Sequence, residues 1–200
     1  MTGRAGANAW LLPVLATVLV LAATVPAGAE AACYAGGDGT GTLEFAGAVE
    51  GRGFTGRFGE FDVRYCMPEG EPESGRIEVT VALASADSDN RDRDTTLKGE
   101  EFFDVVSFPE STWRSTEIVR DGEGYRAEGE LTLKGITAAQ PIRFTLEPDG
   151  ERIVARGAFT LAGDAEVDRQ RFDVGTGEFA DPEFVRNRVD VRFKVELAAP

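Results

Sequence analysis

The chain contains no histidine. That excludes a Ser-His-Asp triad, a Cys-His dyad and every metal site built on imidazole. Only two cysteines are present, Cys33 and Cys66, too few for a four-cysteine zinc site or a cysteine-ligated iron–sulfur cluster within one chain. Positive charge is scarce: 21 Lys and Arg stand against 35 Asp and Glu, a formal net charge of −14. Phosphate backbones and anionic membrane surfaces repel such a chain, so nucleic acid is not expected as a partner. No nucleophile–base pair or metal-ligating cluster replaces what is missing. The expectation is a protein that is not an enzyme, with no catalytic residues, no metal and no resident cofactor. What the chain does have is an ordinary globular balance, 200 residues of which 42% are hydrophobic and 28% charged.

The beginning of the chain has the three parts of a secretory signal. Arg4 supplies the positive start, Ala9 to Val25 form an uncharged apolar run, and Ala27-Gly28-Ala29 and Ala29-Glu30-Ala31 are small-x-small cleavage sites. Residues 1–31 are therefore expected to be a cleaved signal peptide and residues 32–200 the mature domain, periplasmic or secreted. A permanent anchor is disfavoured because Pro13 interrupts the run. Lipidation of Cys33 is disfavoured because Glu30 stands where a lipobox wants a leucine-like residue. Cleavage removes Arg4 and Glu30 together, leaving the charge at −14. Export leads to an oxidising space, where Cys33 and Cys66 are expected to form a structural disulfide rather than a redox pair, since they lack C-x-x-C spacing.

Beyond the glycines at 36, 37, 39 and 41 the sequence alternates apolar and polar residues nearly throughout. Ile77, Val79, Val81 and Leu83 do so, as do Tyr125 to Leu133, Ile142 to Leu146, Ile153 to Leu161 and Val189 to Leu197. Period two with one polar face means antiparallel strands, wet outside and apolar inside. Turn signals at Asp121-Gly122, Lys134-Gly135 and Pro148-Asp149-Gly150 divide the runs. Eight strands are expected, near 41–47, 52–66, 75–85, 111–121, 124–134, 138–148, 152–162 and 187–198. Eight such strands close into an up-and-down barrel or fold as a sandwich. In the second strand Phe54 and Phe58 have one parity and Phe61, Val63 and Tyr65 the other. A bulge near Gly59-Glu60 would turn all five inward and bend the strand, as barrel closure requires. Short helices are expected at Leu97–Asp104, with single turns at 165–171 and 181–186.

Several motifs tempt and fail. Gly51-Arg52-Gly53-Phe54-Thr55-Gly56 matches a dinucleotide fingerprint in letters, but a bent strand follows it instead of a long helix. Gly175 to Ala180 fails likewise, with Asp181-Pro182 directly after it. The acidic stretch Asp87 to Asp94 resembles a calcium loop, yet Asp92 stands where the turn glycine belongs and Lys98 where the closing glutamate belongs. It reads as a solvated loop between strands. Glu100 and Glu101 are adjacent and do not face each other as a catalytic pair would.

The inward face is rich in large side chains. Phe45, Phe58, Val79, Val81, Phe103, Trp113, Tyr125, Phe144, Phe159 and Phe193 are the candidate ligand-lining residues. Small residues, Ala127, Gly129, Ala155 and Gly157, interrupt it. An eight-stranded barrel is just wide enough to be filled by side chains or to hold a guest. The pattern leaves a solid core and a ligand cavity equally open.

Residues from about 40 to 198 resemble the YceI-like family of exported lipid- and polyisoprenoid-binding proteins. The resemblance rests on Leu97-Lys98-Gly99-Glu100-Glu101-Phe102-Phe103-Asp104 with Phe108-Pro109, and on Gly124-Tyr125 leading through Gly129 to Thr137 and Pro141-Ile142. Asp168-Arg169 with Phe172, the Gly175-x-Gly177-Glu178 turn and the closing Val189-x-Val191-x-Phe193-x-Val195 complete it. It implies an all-β fold, an eight-stranded antiparallel lipocalin-like barrel with one or two short helices. It implies a bound isoprenoid quinone, polyprenyl chain or other long amphiphilic lipid as the partner. Some members accompany cytochrome b561-type membrane proteins, so the alternative is a non-catalytic periplasmic interaction module with a membrane redox partner. Oligomeric state, monomer or homodimer, stays open. The segments Lys98–Asp104 and Val174–Ala180 are the expected mouth. Many relatives have histidines in the first strand and before Leu97, where this chain has Thr96.

Overall fold

Alternation with one charged face dictates strands whose backbones pair and whose apolar faces turn together. The computed structural model describes residue 2, residues 31–68 and residues 70–200. The expected leader, residues 1–31, falls almost wholly outside the described residues. The chain forms β1 (Ala32–Gly37), β2 (Gly41–Val49), β3 (Arg52–Phe58), β4 (Phe61–Met67), β5 (Arg76–Ala82) and β6 (Ala86–Asp87). Helix α1 (Arg91–Lys98) precedes β7 (Glu110–Asp121), β8 (Gly124–Leu133), β9 (Ile136–Ala139) and β10 (Ile142–Glu147). Helix α2 (Glu151–Arg156), β11 (Ala158–Asp168) and β12 (Arg188–Ala198) complete it.

These segments amount to eight antiparallel strands in a closed ring, because β1–β2, β3–β4, β5–β6 and β9–β10 are each one strand broken at a corner. β12 shows the closure: it runs antiparallel to β11 along its length, and on its other side to both β2 (Val191 opposite Phe45) and β1 (Ala198 opposite Ala35). Three corners lie side by side. The Asp38 N–H donates to Phe61 O, the Gly59 N–H to Ser85 O and the Ala82 N–H to Glu60 O. The break at Gly59-Glu60 changes the strand's parity as expected, so Phe54, Phe58, Phe61 and Val63 all face the interior. A bulge between Ser115 and Glu117 does the same for β7.

The helices differ from expectation. The segment 97–104 is not helical beyond Lys98; helix α1 lies in the acidic stretch read as a loop. The Asn90 side chain caps it by accepting the Arg93 N–H at 3.0 Å, and Asp92 and Asp94 sit in the first turn, where carboxylates favour the helix dipole. The strand expected over 152–162 begins only at Ala158. Before it, residues 151–156 form α2 between Gly150 and Gly157, both at positive φ. Ala155 and Gly157 thus do not belong to the barrel face. The turn at 165–171 is strand to Asp168 followed by a 3-10 turn at Arg169–Phe172; a further 3-10 turn lies at Gly177–Ala180, and the segment expected as a turn at 181–186 makes a single turn in which the Phe184 and Val185 N–H groups donate to Asp181 O.

Cys33 and Cys66 stand directly opposite each other on β1 and β4 and are bonded. The bridge fastens the first strand to its neighbour. Replacing both with serine is expected to lower unfolding stability by about 3–4 kcal/mol, the loop-closure entropy of a ring this size. Urea unfolding of the variant beside the parent reads this directly; equal midpoints would mean that β1 needs no fastening.

Candidate functional site

The interior has two unlike halves. At the end closed by α2, five aromatic rings interlock: Tyr34 on Phe159 at 5.0 Å between centroids, Tyr65 on Phe159 at 6.0 Å and on Phe144 at 6.3 Å, and Tyr125 stacked on Phe144 at 5.2 Å. Ile153 of α2 packs into this cluster fully buried. The Tyr125 hydroxyl donates to Asp149, which also accepts from Arg120 and from the Gly150 N–H. Burial alone would raise the Asp149 carboxyl; the donated hydrogen bonds outweigh it and hold the group below the usual carboxylate range.

Toward the other end the packing loosens. Along β12 the inward residues Val195 and Leu197 are fully buried, while Val189, Val191 and Phe193 are only half-buried, although all five point inward. The surface they leave open faces a cavity of about 230 Å³. Apart from Ser111, Gln140, Arg169 and Arg186, its lining residues are apolar or glycine. One wall is a row of rings: Phe54 meets Phe45 at 6.4 Å, Phe45 meets Phe58 at 5.1 Å, and Phe58 meets Phe103 at 6.1 Å. Trp113 forms another wall, its indole N–H donating to Gln140 O at 2.8 Å.

The glycines of the barrel serve these rings. A Cβ at Gly129 would lie 2.4 Å from the Trp113 ring, one at Gly56 2.4 Å from Phe45, and one at Gly163 2.6 Å from Phe193. Each is a seat for a neighbouring strand's aromatic rather than free space for a guest. The room that Gly129 suggested in the sequence is taken by Trp113.

Of the ten candidate residues, Phe45, Phe58, Val79, Val81, Phe103, Trp113 and Phe193 line the cavity. Tyr125, Phe144 and Phe159 do not: they point inward but build the closed end. Sequence reasoning missed Leu131, Ile142, Val167, Val189 and Val191, which line it too. For Leu131, Ile142, Val189 and Val191 the signal was the same alternation; Val167 fell in a segment expected to be a turn.

The loops at this end are held by one side chain. Arg169 is 3% exposed, and among the described residues its hydrogen-bond partners are all backbone carbonyls. Its five N–H groups donate to Arg186 O, Val174 O, Gly175 O, Phe179 O and Val185 O at 2.7–3.2 Å. Burial pushes its guanidinium down from the usual arginine range, with Asp168 pulling the other way. The expected mouth segments belong to this assembly. The Gly175 and Thr176 N–H groups donate to Glu101 O, and the Lys134 ammonium bonds Glu100 O and Asp173 O. Phe102, Phe103 and Val174 beneath them reach the cavity.

Among the described residues no cluster of three or more His, Cys, Asp or Glu is placed to hold a metal ion. No helix among them is long and apolar enough to cross a membrane.

Comparison with known proteins agrees with this geometry. The model of a YceI-like domain matches residues 38–197. A UPF0312 protein of Photorhabdus laumondii is 34% identical over 96 residues, 48% of this chain and 49% of that protein. One of Yersinia pestis is 33% identical over 95 residues, 48% of this chain and 50% of that protein. The matched segment thus spans about half the length of these curated relatives. Among solved structures, Burkholderia cenocepacia BcnA superposes with a TM-score of 0.70 at 24% identity, covering 78% of this chain and 95% of that one. A polyisoprenoid binding domain from Saccharophagus degradans, implicated in plant cell wall breakdown, superposes at 0.62 with 12% identity, covering 86% and 100%. These likenesses establish the shared barrel.

Proposed function

The chain belongs to the YceI-like domain family, and on that premise we propose that it binds a long-chain isoprenoid or other amphiphilic lipid inside its barrel and performs no chemistry on it. The observation that carries this is the apolar cavity between the closed end and the Arg169 loops. Moving apolar chain from water into such a lining contributes up to about 0.8 kcal/mol per methylene, so a tail binds well without polar contacts. The volume, about 230 Å³, is just below the range of about 300–1,000 Å³ common for ligand pockets. A tail longer than this space needs the half-buried side chains at Val189, Val191 and Phe193 to shift. A solid-core interaction module, for instance the partner of a cytochrome b561, is the weaker reading, because such a module has no use for an unfilled interior.

The leader-like residues 1–31 and the Cys33–Cys66 bridge support an exported, periplasmic or secreted carrier. The test is direct. Mass spectrometry of an organic extract of the purified protein is expected to find a long-chain lipid, and lipid-free protein is expected to take up added polyprenols or quinones. Trp113 gives a second readout: the other tryptophan, Trp10, lies in the expected leader, so the processed protein's fluorescence reports on the cavity wall. Protein that carries no lipid and ignores both additions would sink the carrier reading in favour of the interaction module.

A further inference from the structure

Gln140, a residue of the cavity wall, has one side-chain atom without a hydrogen-bond partner among the described residues. Gln140 lies between β9 and β10, is 3% exposed and lines the cavity. Its main chain is committed: the N–H donates to Gly129 O and the carbonyl accepts from Trp113. Its amide nitrogen is committed too, donating to Pro141 O at 3.0 Å and Glu166 O at 3.1 Å. Those two acceptors fix the amide's orientation, because the reverse would set Oε1 against two carbonyl oxygens. Oε1 therefore keeps both lone pairs, and among the described residues no donor reaches it. Nor is it sealed in: the buried side-chain oxygen without a partner is Asn187 Oδ1.

The rest of the buried polar lining offers no free hydrogen. Arg169 has used all five N–H groups, and the Ser111 hydroxyl donates to Thr132 O. Arg186 stands at the exposed rim, with Nε and Nη2 bonded to Arg188 O, Ala46 O and Asp190. Among the buried polar groups of this lining Gln140 Oε1 is therefore an open acceptor and none is a free donor, while Arg186 at the exposed rim keeps the two N–H groups of Nη1. An acceptor left unmatched in apolar surroundings is costly, and a site built around one discriminates by hydrogen-bond sense.

We propose that Gln140 Oε1 selects guests carrying a hydroxyl, so that the cavity takes a long-chain alcohol in preference to the same chain ending in an acceptor-only group. This rests on the carrier reading and sharpens it to a ligand class. A hydroxyl on Oε1 satisfies the amide; an ether or ester oxygen there meets another lone pair.

The experiment compares geranylgeraniol with its methyl ether, which differ in one hydrogen-bond donor, by competitive equilibrium binding to the purified protein. The alcohol is expected to bind about tenfold tighter, the worth of one hydrogen bond to an otherwise unmatched acceptor. In Gln140→Met, of similar shape and apolar, the preference should shrink to within about twofold while the ether binds no less well. Equal binding of both by the parent protein overturns the selection and leaves the carrier reading standing. A preference undiminished in Gln140→Met removes Gln140 as its source. Binding of neither compound removes the carrier reading, and the selection with it. The comparison on the parent protein stands even if the variant fails to fold.

Discussion

Replacing Arg169 with alanine is expected to lower unfolding stability by about 3–5 kcal/mol, a loss of about 10 °C in melting temperature. The reason is the number of carbonyls that depend on it. Residues 174, 175, 179, 185 and 186 all present their oxygens to one guanidinium, and the bonds to Val174, Gly175 and Val185 are buried. No other side chain combines five donors in a planar fork, so Arg169→Lys is expected to recover only a minor part. Removing the fork leaves acceptors buried and unpaired, which costs more than a neutral hydrogen bond is worth when present. Arg171 is the internal control. It is exposed, two residues away and of the same charge; Arg171→Ala is expected to leave the melting curve within about 0.5 kcal/mol of the parent. Equal small effects from the two variants would show that the loops at this end hold themselves.

Placing a carboxylate at Val191 is expected to weaken lipid binding by about a hundredfold or more. Val191 lies mid-strand on β12 between Phe45 and Ala165, half-buried against the cavity. A glutamate there draws water into the apolar space. Losing about four methylene contacts of the guest removes about 3 kcal/mol, roughly that hundredfold. The neighbouring residue supplies the comparison. Arg192 points outward, and Arg192→Glu carries a larger charge change yet should leave affinity nearly unaltered. Titration of both variants with the same polyprenol reads the difference. Similar losses in the two would mean that charge at the surface, and not access to the interior, governs uptake.

Which face each residue takes was legible in the sequence; how far along the barrel it sits was not. Period-two alternation turned Phe159 and Phe193 inward alike, and both do point inward. Nothing in that period distinguishes a ring near the α2 end from one at mid-barrel, since height depends on the register between strands. That register places Phe159 beside Leu197 and Phe193 beside Leu43, so one seals the closed end and the other lines the cavity. Arg169 was hidden for another reason. Arginine is rarely buried, and an arginine with no carboxylate has no partner visible in sequence. Its acceptors are backbone carbonyls, which every residue carries. The break at Gly59-Glu60 was legible because a change of parity leaves a mark in the order of side chains. Helix α1 was not, because interleaved Asp and Arg read equally well as a solvated loop until the Asn90 cap is seen.

Ring closure also bears on how copies of this chain meet one another. An open sheet ends in a strand whose amides and carbonyls can template another molecule. Here every long strand among the described residues has a neighbour on both sides over part of its length, while Ala86–Asp87 and Ile136–Ala139 pair on one side, β3 meets β6 only at Arg57 and Phe58, and β7 meets β5 only from Glu110 to Arg114. The side chains that alternation turns outward bear the net charge of −14, so approaching copies repel before backbones come within bonding distance. Closing the ring turns the apolar faces inward, so what one copy presents to another is mostly charged side chains and short lengths of strand edge.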